Sequence, residues 1–391
     1  MRSGNDVIVQ GAAQERVDEI CRAAEALHIP LHAMVELTYR CNVDCAHCYC
    51  QHLQNRAHKV ELRAEEWRRV LDELAELGVL HLTLTGGEIF IRRDFWEIAH
   101  HAKALHFSMT LFTNGTLLTE ACADRLAALR PTSIEMSLIG ATEETHDRIT
   151  RTPGAWRRML RGAKLLRERH LTFVFKTTLM QGNIQEHRDL VRTANAHGCR
   201  AYKTDIEVSP RNDGNRAPQG YQLGQRAMFD YYIDDAGGEA VLPLIQPARG
   251  LSMHKSTCGA GVNGCAVNPY GDFLPCLQLM LPFGNVRERK LREMWEHPPE
   301  QIHRIRNTKT YGQIRSCAHC DLIDYCHRCH GLAQLETEAW HSCDTQARRT
   351  AEVVRAVVNY KKAGVVPDFP VDARGIEGKA QRMPQVRDMA R

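Results

Sequence analysis

The chain has 391 residues, a formal net charge of +4 at pH 7 and a hydrophobic content of 43%. These values predict two or three packed globular domains rather than disorder, and the small charge gives no indication of a nucleic-acid or membrane-surface partner. No apolar run approaches the ~20 residues that a membrane-spanning helix needs. Residues 1–10 lack the apolar region of a signal peptide, so we expect a cytoplasmic protein.

Strand and helix patterns alternate from about residue 31 to residue 207. Ahead of them, apolar residues at helical spacing predict a short amphipathic helix over about 12–27. Six strands are then predicted, at 34–38, 79–85, 107–113, 133–138, 171–178 and 201–207. Helices are predicted between them, at 65–77, 94–105, 119–129, 155–169 and 185–196, with Asp94 and Thr119 as N-caps. Six βα units indicate a parallel sheet, because parallel strands need crossover connections, and six units can form an incomplete barrel.

Three cysteines in a CxxxCxxC spacing follow the first predicted strand, namely Cys41, Cys45 and Cys48. Iron–sulfur clusters are normally held by cysteine thiolates, and three thiolates leave one iron of a 4Fe–4S cube free to bind a small molecule. Structural zinc is the alternative, although it usually takes four ligands; His47 is available as the fourth. Ligands of parallel sheets bind at the carboxyl ends of the strands, which is where this loop is predicted to lie.

Three further strand ends carry residues suited to binding a ligand at that same edge. After the second strand come Gly86, Gly87 and Glu88, where the paired glycines allow close approach of a ligand and the carboxylate can accept from an ammonium group. Asn114 follows the third strand, and Ser137 ends the fourth. Each of these is an ordinary turn by itself, but their recurrence at consecutive strand ends indicates one site.

The second half of the chain is rich in cysteine. Of the 15 cysteines, eight form a second group: Cys258, Cys265, Cys276, Cys317, Cys320, Cys326, Cys329 and Cys343. In a reducing compartment such residues are metal ligands more often than disulfides. The two CxxC pairs taken alone would also fit zinc. Helices are predicted at about 225–235 and 344–362, and the residues after about 361 as a polar tail.

Together these motifs resemble the radical S-adenosylmethionine (radical SAM) superfamily, and the second cysteine group resembles the SPASM extension of that family. The resemblance implies an α/β fold, with a partial (β/α)6 TIM-like barrel followed by a small Cys-rich auxiliary-cluster domain. The boundaries that we expect are an N-terminal helix over 1–30, the barrel over 31–235, the SPASM domain over 236–360 and a tail over 361–391.

The resemblance also implies the cofactors and their ligands. Cys41, Cys45 and Cys48 would hold a 4Fe–4S cluster that binds SAM, and SAM would contact Gly86, Gly87, Glu88, Asn114 and Ser137. Two auxiliary 4Fe–4S clusters are expected, the nearer one on Cys258, Cys265, Cys276 and Cys329, and the farther one on Cys317, Cys320, Cys326 and Cys343. Cys265 is the least secure of these ligands, since its loss would leave an open iron. Arg148 and Arg151 are alternative partners for the SAM carboxylate, and no acid–base residue is assigned.

The implied activity is reductive cleavage of SAM to a 5′-deoxyadenosyl radical that abstracts hydrogen from a peptide substrate. The product would be a crosslink, a thioether or a decarboxylated residue in a ribosomally made natural product. Thirty residues before the barrel are too few for a winged-helix peptide-recognition domain, so a separate leader-binding protein is expected, with a flavodoxin or ferredoxin as electron donor. The alternatives are a radical SAM dehydrogenase of a small molecule and a non-catalytic iron–sulfur electron carrier or sensor.

The cysteine assignments predict the metal content. Three cubes require about twelve iron atoms per chain, and replacing Cys41, Cys45 and Cys48 together with alanine should remove about a third of that iron. Elemental analysis of protein reconstituted under anaerobic conditions measures both values. About four iron atoms accompanied by zinc would contradict the two auxiliary clusters.

Overall fold

The computed structural model describes residues 16, 19–50, 53, 60–234, 258–364, 367 and 369. Its centre is a nine-stranded sheet in the order β6-β5-β4-β3-β2-β1-β7-β8-β9. The strands are β1 (His32–Thr38), β2 (His81–Gly86), β3 (Ser108–Thr113), β4 (Ser133–Ser137), β5 (Phe173–Thr178), β6 (Ala201–Asp205), β7 (Gly264–Val267), β8 (Asp272–Leu274) and β9 (Gly284–Asn285). Strands β1 to β6 are mutually parallel and lie in chain order, which confirms the predicted six-unit α/β arrangement.

The helices connect these strands as the apolar periodicity predicts. They are α1 (Ala64–Glu76), α2 (Phe95–Ala104), α3 (Glu120–Leu129), α4 (Glu143–Thr150), α5 (Ala155–Glu168), α6 (His187–Ala196), α7 (Gln225–Ile233), α8 (Leu291–Glu296), α9 (Glu300–Asn307), α10 (His330–Thr337) and α11 (Thr345–Ala363). Helices α4, α8, α9 and α10 are additions to the predicted set. Residues 19–27 are helical as well, whereas most of the earlier part of that predicted helix, and nearly all of the predicted tail, lie outside the described residues. In the part of the chain that the structure describes, no helix is both long and apolar enough to cross a bilayer.

Each parallel strand presents one face to the helices and the other to the interior of the partial barrel. In β1, Val35 and Leu37 pack in the main hydrophobic core with Trp67 of α1. Because side chains alternate along a strand, Glu36 and Thr38 point to the opposite side, which we call the inner face. By the same alternation the inner face carries Glu135 and Ser137 in β4, Lys176 in β5 and Lys203 in β6.

The sheet continues into the Cys-rich segment. Strand β7 pairs parallel to β1, from His32 opposite Gly264 to Val35 opposite Val267, and β8 and β9 follow with antiparallel pairing. Helix α11 packs beside α7, where the rings of Phe229 and Tyr360 lie 5.7 Å apart. The main core therefore includes side chains from both parts of the chain.

Both predicted N-cap residues occupy that position, but only Thr119 caps its helix through its side chain. The Thr119 hydroxyl accepts from the N–H of Cys122 at 3.2 Å. The Asp94 side chain does not cap α2; it accepts instead from Arg92, through Nε at 2.9 Å and Nη2 at 2.6 Å. The buried Arg92 also donates to the carbonyls of Leu37, at 2.6 Å, and Leu62, at 3.0 Å. The Asp94 carboxylate therefore binds the Arg92 guanidinium instead of the N–H groups at the start of α2. The same guanidinium links Asp94 to the end of β1.

We expect Arg92→Leu to lower the free energy of unfolding by about 3 kcal/mol, because it leaves two buried carbonyls without donors and Asp94 without its cation. Urea unfolding followed by circular dichroism measures the change. Arg93→Leu, at the exposed neighbouring position, is the matched control and should stay within about 0.5 kcal/mol of the parent. Equal stabilities of the two variants would contradict this role of Arg92.

Candidate functional site

The predicted site residues meet at the carboxyl ends of the parallel strands, because the strand registers place those ends at one edge of the sheet. Thr38 at the end of β1 lies opposite Gly86, and Ser137 at the end of β4 lies opposite Lys176. The loop with Cys41, Cys45 and Cys48 follows β1 directly.

The two glycines after β2 lie against the backbone that leads into the cysteine loop. A Cβ atom on Gly86, whose φ is +131°, would lie 2.3 Å from the Thr38 carbonyl oxygen, and one on Gly87 would lie 2.3 Å from that of Arg40. The N–H of Gly87 donates to Thr38 at 2.7 Å, and that of Glu88 donates to Arg40 at 2.9 Å. The close approach that requires these glycines is thus made by the protein's own chain, one residue before Cys41; contact with SAM stays a prediction.

Glu88 is fully buried and joins the loop after β2 to the loop after β3. Its carboxylate accepts from the Thr113 hydroxyl at 2.8 Å and from the backbone N–H groups of Asn114, at 2.8 Å, and Phe90, at 3.2 Å. Burial raises the pKa of Glu88 to about 7, although these donors oppose the shift. The carboxylate therefore organises the loop around Asn114, and any ammonium group that it binds must share it with these three donors.

Asn114 in turn contacts the cysteine loop. Its amide Nδ2 donates to Asn42 Oδ1 at 2.9 Å and lies 3.7 Å from the Cys41 sulfur, while its Oδ1 accepts from the N–H of Thr116 at 2.9 Å. Ser137 is half-buried at the end of β4. The structure therefore brings Asn114 directly to the first predicted ligand, and Ser137 to the same edge of the sheet.

The cysteine loop is held by backbone hydrogen bonds to the end of α4. The N–H groups of Asp44 and Ala46 donate to the carbonyls of Thr150 and Ile149, both at 3.0 Å. Burial raises the pKa of Cys41 to about 11 and that of Cys45 well above its ordinary value, and the nearby Cys48 thiol adds to both shifts. Metal binding would relieve this cost, since a coordinating thiol is deprotonated outright.

The donor set fits the expected cluster, because it consists of thiols alone. Across the described ranges, no three Cys, His, Asp or Glu side chains converge tightly enough to hold a single metal ion. His47, the candidate fourth zinc ligand, has its pKa lowered to about 4 by burial, and its Nδ1 atom is buried without a hydrogen-bond partner in the part of the chain that the structure describes.

Two neighbours of this loop escaped the sequence interpretation. The sulfur of the buried Cys50 lies 3.7 Å from that of Cys48. Glu36 on the inner face accepts from the hydroxyl of Tyr39 at 2.9 Å and from that of Tyr49, and burial raises its pKa to about 7. This carboxylate anchors the far end of the cysteine loop to β1. A charged residue inside an otherwise apolar strand was the signal that could have identified it.

The two arginines that the sequence offered as partners of the SAM carboxylate, Arg148 and Arg151, have different surroundings in the structure. Arg148 Nη2 donates to the carbonyl of Gly182 at 2.9 Å. Arg151 Nη1 lies 3.7 Å from Asp44 in the cysteine loop, and its Nη2 donates to the Tyr221 hydroxyl at 3.3 Å. Arg151 is therefore the arginine next to the candidate site.

Four of the later cysteines form one group. Burial raises the pKa of Cys326 to about 12, and the negative charges of Asp344, Cys343, Cys317 and Cys320 add to the shift. Such mutual effects agree with the farther predicted ligand set, whose role as ligands stays a prediction.

A second group contains three of the four cysteines of the nearer predicted set. Burial raises the pKa of Cys329 strongly, and the thiols of Cys276 and Cys258 contribute to the shift. Cys265 lies apart in β7, where its thiol packs in the main hydrophobic core, whereas Cys258 and Cys276 pack in a separate small cluster. Three of the predicted ligands thus influence one another, while Cys265 packs in a different cluster. The ligand role of all four stays a prediction.

The buried Arg328 lies near both thiol groups. Its charge opposes the burial-driven rise in the pKa of Cys258 in one group and of Cys317 in the other. Its guanidinium donates to the carbonyls of Trp340 and Ser342, both at 2.6 Å. The sequence interpretation missed this cation, although its position inside the second CxxC pair was visible.

Comparison with known proteins follows the division seen in the structure. Residues 35–194 match the radical SAM superfamily, and residues 258–321 match the SPASM family, an iron–sulfur cluster-binding domain. The AdoMet-dependent heme synthase of Methanosarcina barkeri is 28% identical to this chain, over 77% of this chain and 91% of that protein. Mycofactocin maturase MftC of Mycolicibacterium smegmatis is 27% identical, over 75% of this chain and 77% of that protein.

The fold is also found in a solved structure. SuiB of Streptococcus suis bound to precursor peptide SuiA superimposes with a TM-score of 0.61 at 18% identity, over 89% of this chain and 82% of SuiB. At that identity the likeness concerns the fold alone. These matches confirm the predicted α/β partial barrel and the SPASM domain.

We expect Gly87→Ala to weaken the cysteine loop, because the added Cβ would meet the backbone of Arg40 at 2.3 Å and displace the residues before Cys41. Iron bound per chain after reconstitution should fall by up to about a third, the share of one cube in three. Gly220→Ala is the matched control, since its Cβ would meet nothing within 4 Å. Full iron content in Gly87→Ala would show that the contact is dispensable.

Proposed function

We propose that this chain, a radical SAM protein with a SPASM domain, uses SAM to abstract hydrogen from a peptide and to modify that peptide oxidatively. The observation that carries the proposal is the meeting of the three-thiol loop with the loops of Glu88 and Asn114 at one edge of the sheet. The peptide substrate is supported by the relation to PqqA peptide cyclase of Granulibacter bethesdensis, which is 27% identical over 75% of this chain. The modification would be a crosslink, a thioether or a decarboxylation.

The proposed roles follow from position. Cys41, Cys45 and Cys48 hold the cluster, which supplies the electron for cleavage of SAM when it is bound. Asn114, 3.7 Å from the Cys41 sulfur, borders the place for SAM together with Gly86, Gly87, Glu88 and Ser137. Arg151 is the partner that we propose for the SAM carboxylate, because its guanidinium faces the cysteine loop at Asp44.

An oxidative modification requires an acceptor for the electron that the substrate radical loses, and clusters on the two later thiol groups would be that acceptor. We propose that Cys317, Cys320, Cys326 and Cys343 hold one auxiliary cluster, and that Cys258, Cys276 and Cys329 hold the other with Cys265 as the candidate fourth ligand. Arg328 would offset part of the negative charge of both sets. A flavodoxin or ferredoxin as electron donor, and a separate leader-binding protein, complete the proposal.

A second candidate substrate class is a small molecule rather than a peptide. The observation in its favour is the 28% identity to an AdoMet-dependent heme synthase over 91% of that protein's length. The two classes predict different stimulants of SAM cleavage: a short precursor peptide in the first case, and a porphyrin-like compound in the second.

We expect the reconstituted protein, reduced under anaerobic conditions and mixed with SAM, to form 5′-deoxyadenosine, because an iron with an open coordination position can hold SAM for reductive cleavage. Chromatography with mass detection measures the product. Cys45→Ala should reduce the yield to the level of the protein-free mixture, while Cys122→Ala, a cysteine outside all three thiol groups, is the matched control. No product from protein with intact clusters would rule out the enzymatic function.

A further inference from the structure

Two lysines share one carboxylate on the inner face of the sheet. Lys176 in β5 and Lys203 in β6 are direct register partners. The Lys176 Nζ atom lies 3.1 Å from Oε2 of Glu135, and the Lys203 Nζ atom lies 2.7 Å from Oε1 of the same carboxylate. Burial opposes ionisation of Glu135, but the two ammonium groups outweigh that effect and lower its pKa. The three side chains together therefore carry one net positive charge.

This cluster lies beside the residues that form the proposed SAM site. Lys176 is the register partner of Ser137, and Lys203 is that of Lys176. Both lysines therefore lie in one row with Ser137, two residues before the ends of β5 and β6 at the edge where the site residues meet. In the adjacent β3 the same face carries Thr110 and Phe112, so the lysine pair with Glu135 is a local feature of β4, β5 and β6. The position is therefore one that a substrate bound next to SAM would reach.

The lysines are the accessible part of the cluster. Their side chains are 44% and 54% exposed, whereas that of Glu135 is 9% exposed. An ammonium group has three donors, and the contact with Glu135 occupies one carboxylate oxygen for each lysine. Lys176 also lies 4.2 Å above the centre of the Phe112 ring, a cation–π contact that orients it. Two oriented ammonium groups with remaining donors form a receptor for a second carboxylate.

A purely structural role explains this arrangement less well. One lysine would suffice to neutralise Glu135, and a second ammonium group adds repulsion between like charges. That repulsion is offset when an anionic group binds between the two lysines. Glu135 then acts as a positioning residue, which holds both cations at one place on the inner face.

The segment that follows β6, the strand of Lys203, is connected to the nearer group of auxiliary thiols by hydrogen bonds. Beyond Lys203 and the end of β6, the Glu207 carboxylate accepts from Gln278 Nε2 at 3.3 Å, and the other end of that amide lies 3.5 Å from the Cys329 sulfur. Gln278 thus links the segment that follows β6, the strand of Lys203, to one of the nearer auxiliary thiols. This connection agrees with transfer of an electron from the substrate to a centre on these thiols.

We propose that Lys176 and Lys203 bind a carboxylate of the peptide substrate, either an acidic side chain or the terminal carboxylate, next to the SAM site. This inference rests on the proposed function, because it assigns a specificity-determining contact to the same site. The SAM carboxylate is the competing ligand of the same chemistry; Arg151, beside the cysteine loop, is the cation that we assign to it.

The test uses the reconstituted full chain with SAM and a synthetic random heptapeptide library. Peptides retained by the protein are sequenced by mass spectrometry, and the best one is then compared with its Glu→Gln or C-terminal amide form by fluorescence anisotropy. We expect the carboxylate form to bind about tenfold more tightly to the parent protein, as a charge-assisted pair implies. The preference should fall below about twofold in Lys176→Gln/Lys203→Gln.

Two variants sharpen the result. Glu135→Gln should enlarge the preference for the carboxylate, because it removes the internal competitor for the lysines while it keeps the side-chain shape. Lys164→Gln, on the outer surface of α5, where its side chain is 63% exposed, is the matched control and should retain the parent preference. Anisotropy reports binding without turnover, so these measurements do not depend on activity.

Three outcomes would overturn the inference: no acidic preference in the parent protein, an unchanged preference in the double lysine variant, or a tenfold loss of SAM affinity in that variant with the peptide preference retained. The last outcome would assign the lysines to the SAM carboxylate. Failure of the proposed function is distinguishable, because it would appear as acidic-peptide binding by a protein that never forms 5′-deoxyadenosine.

Discussion

The close packing of the loop after β2 against the end of β1 is the contact on which the candidate site depends. Gly86 and Gly87 approach the carbonyls of Thr38 and Arg40 so closely that no Cβ fits between them. Two backbone hydrogen bonds of 2.7 and 2.9 Å close this contact. Because Cys41 directly follows Arg40, the position of the first thiol depends on a contact between two backbone segments.

Buried carboxylates extend that contact to the neighbouring loops. Glu88 joins the loop after β2 to that after β3, and Glu36 joins β1 to Tyr49 beyond the third cysteine. Burial raises the pKa of both to about 7, so each is held at an energetic cost that its hydrogen-bond donors only partly offset. Such groups are concentrated where a fold maintains a site rather than maximises stability. The charged cluster of Glu135 and its two lysines belongs to the same inner face.

Charge also organises the second half of the chain. The buried Arg328 lies where its charge acts on Cys258 of one thiol group and on Cys317 of the other. Strand β7 pairs with β1, so this part of the chain belongs to the same sheet as the barrel strands. The shared sheet gives the thiol groups a fixed position relative to the first cysteine loop, as electron transfer between a substrate and an auxiliary centre would require.

The sequence by itself determined the order of the six parallel strands, the helix that connects each to the next, and the edge at which the loops meet, because periodicity and turn residues are local properties of the chain. Only the tertiary structure decided what Gly87 packs against, that Asp94 binds Arg92 instead of capping α2, that Cys265 lies apart in the core, and that Lys176 and Lys203 share Glu135. These contacts join residues far apart in sequence. They depend on strand register and side-chain direction, where a shift of one residue moves a side chain to the opposite face of the sheet.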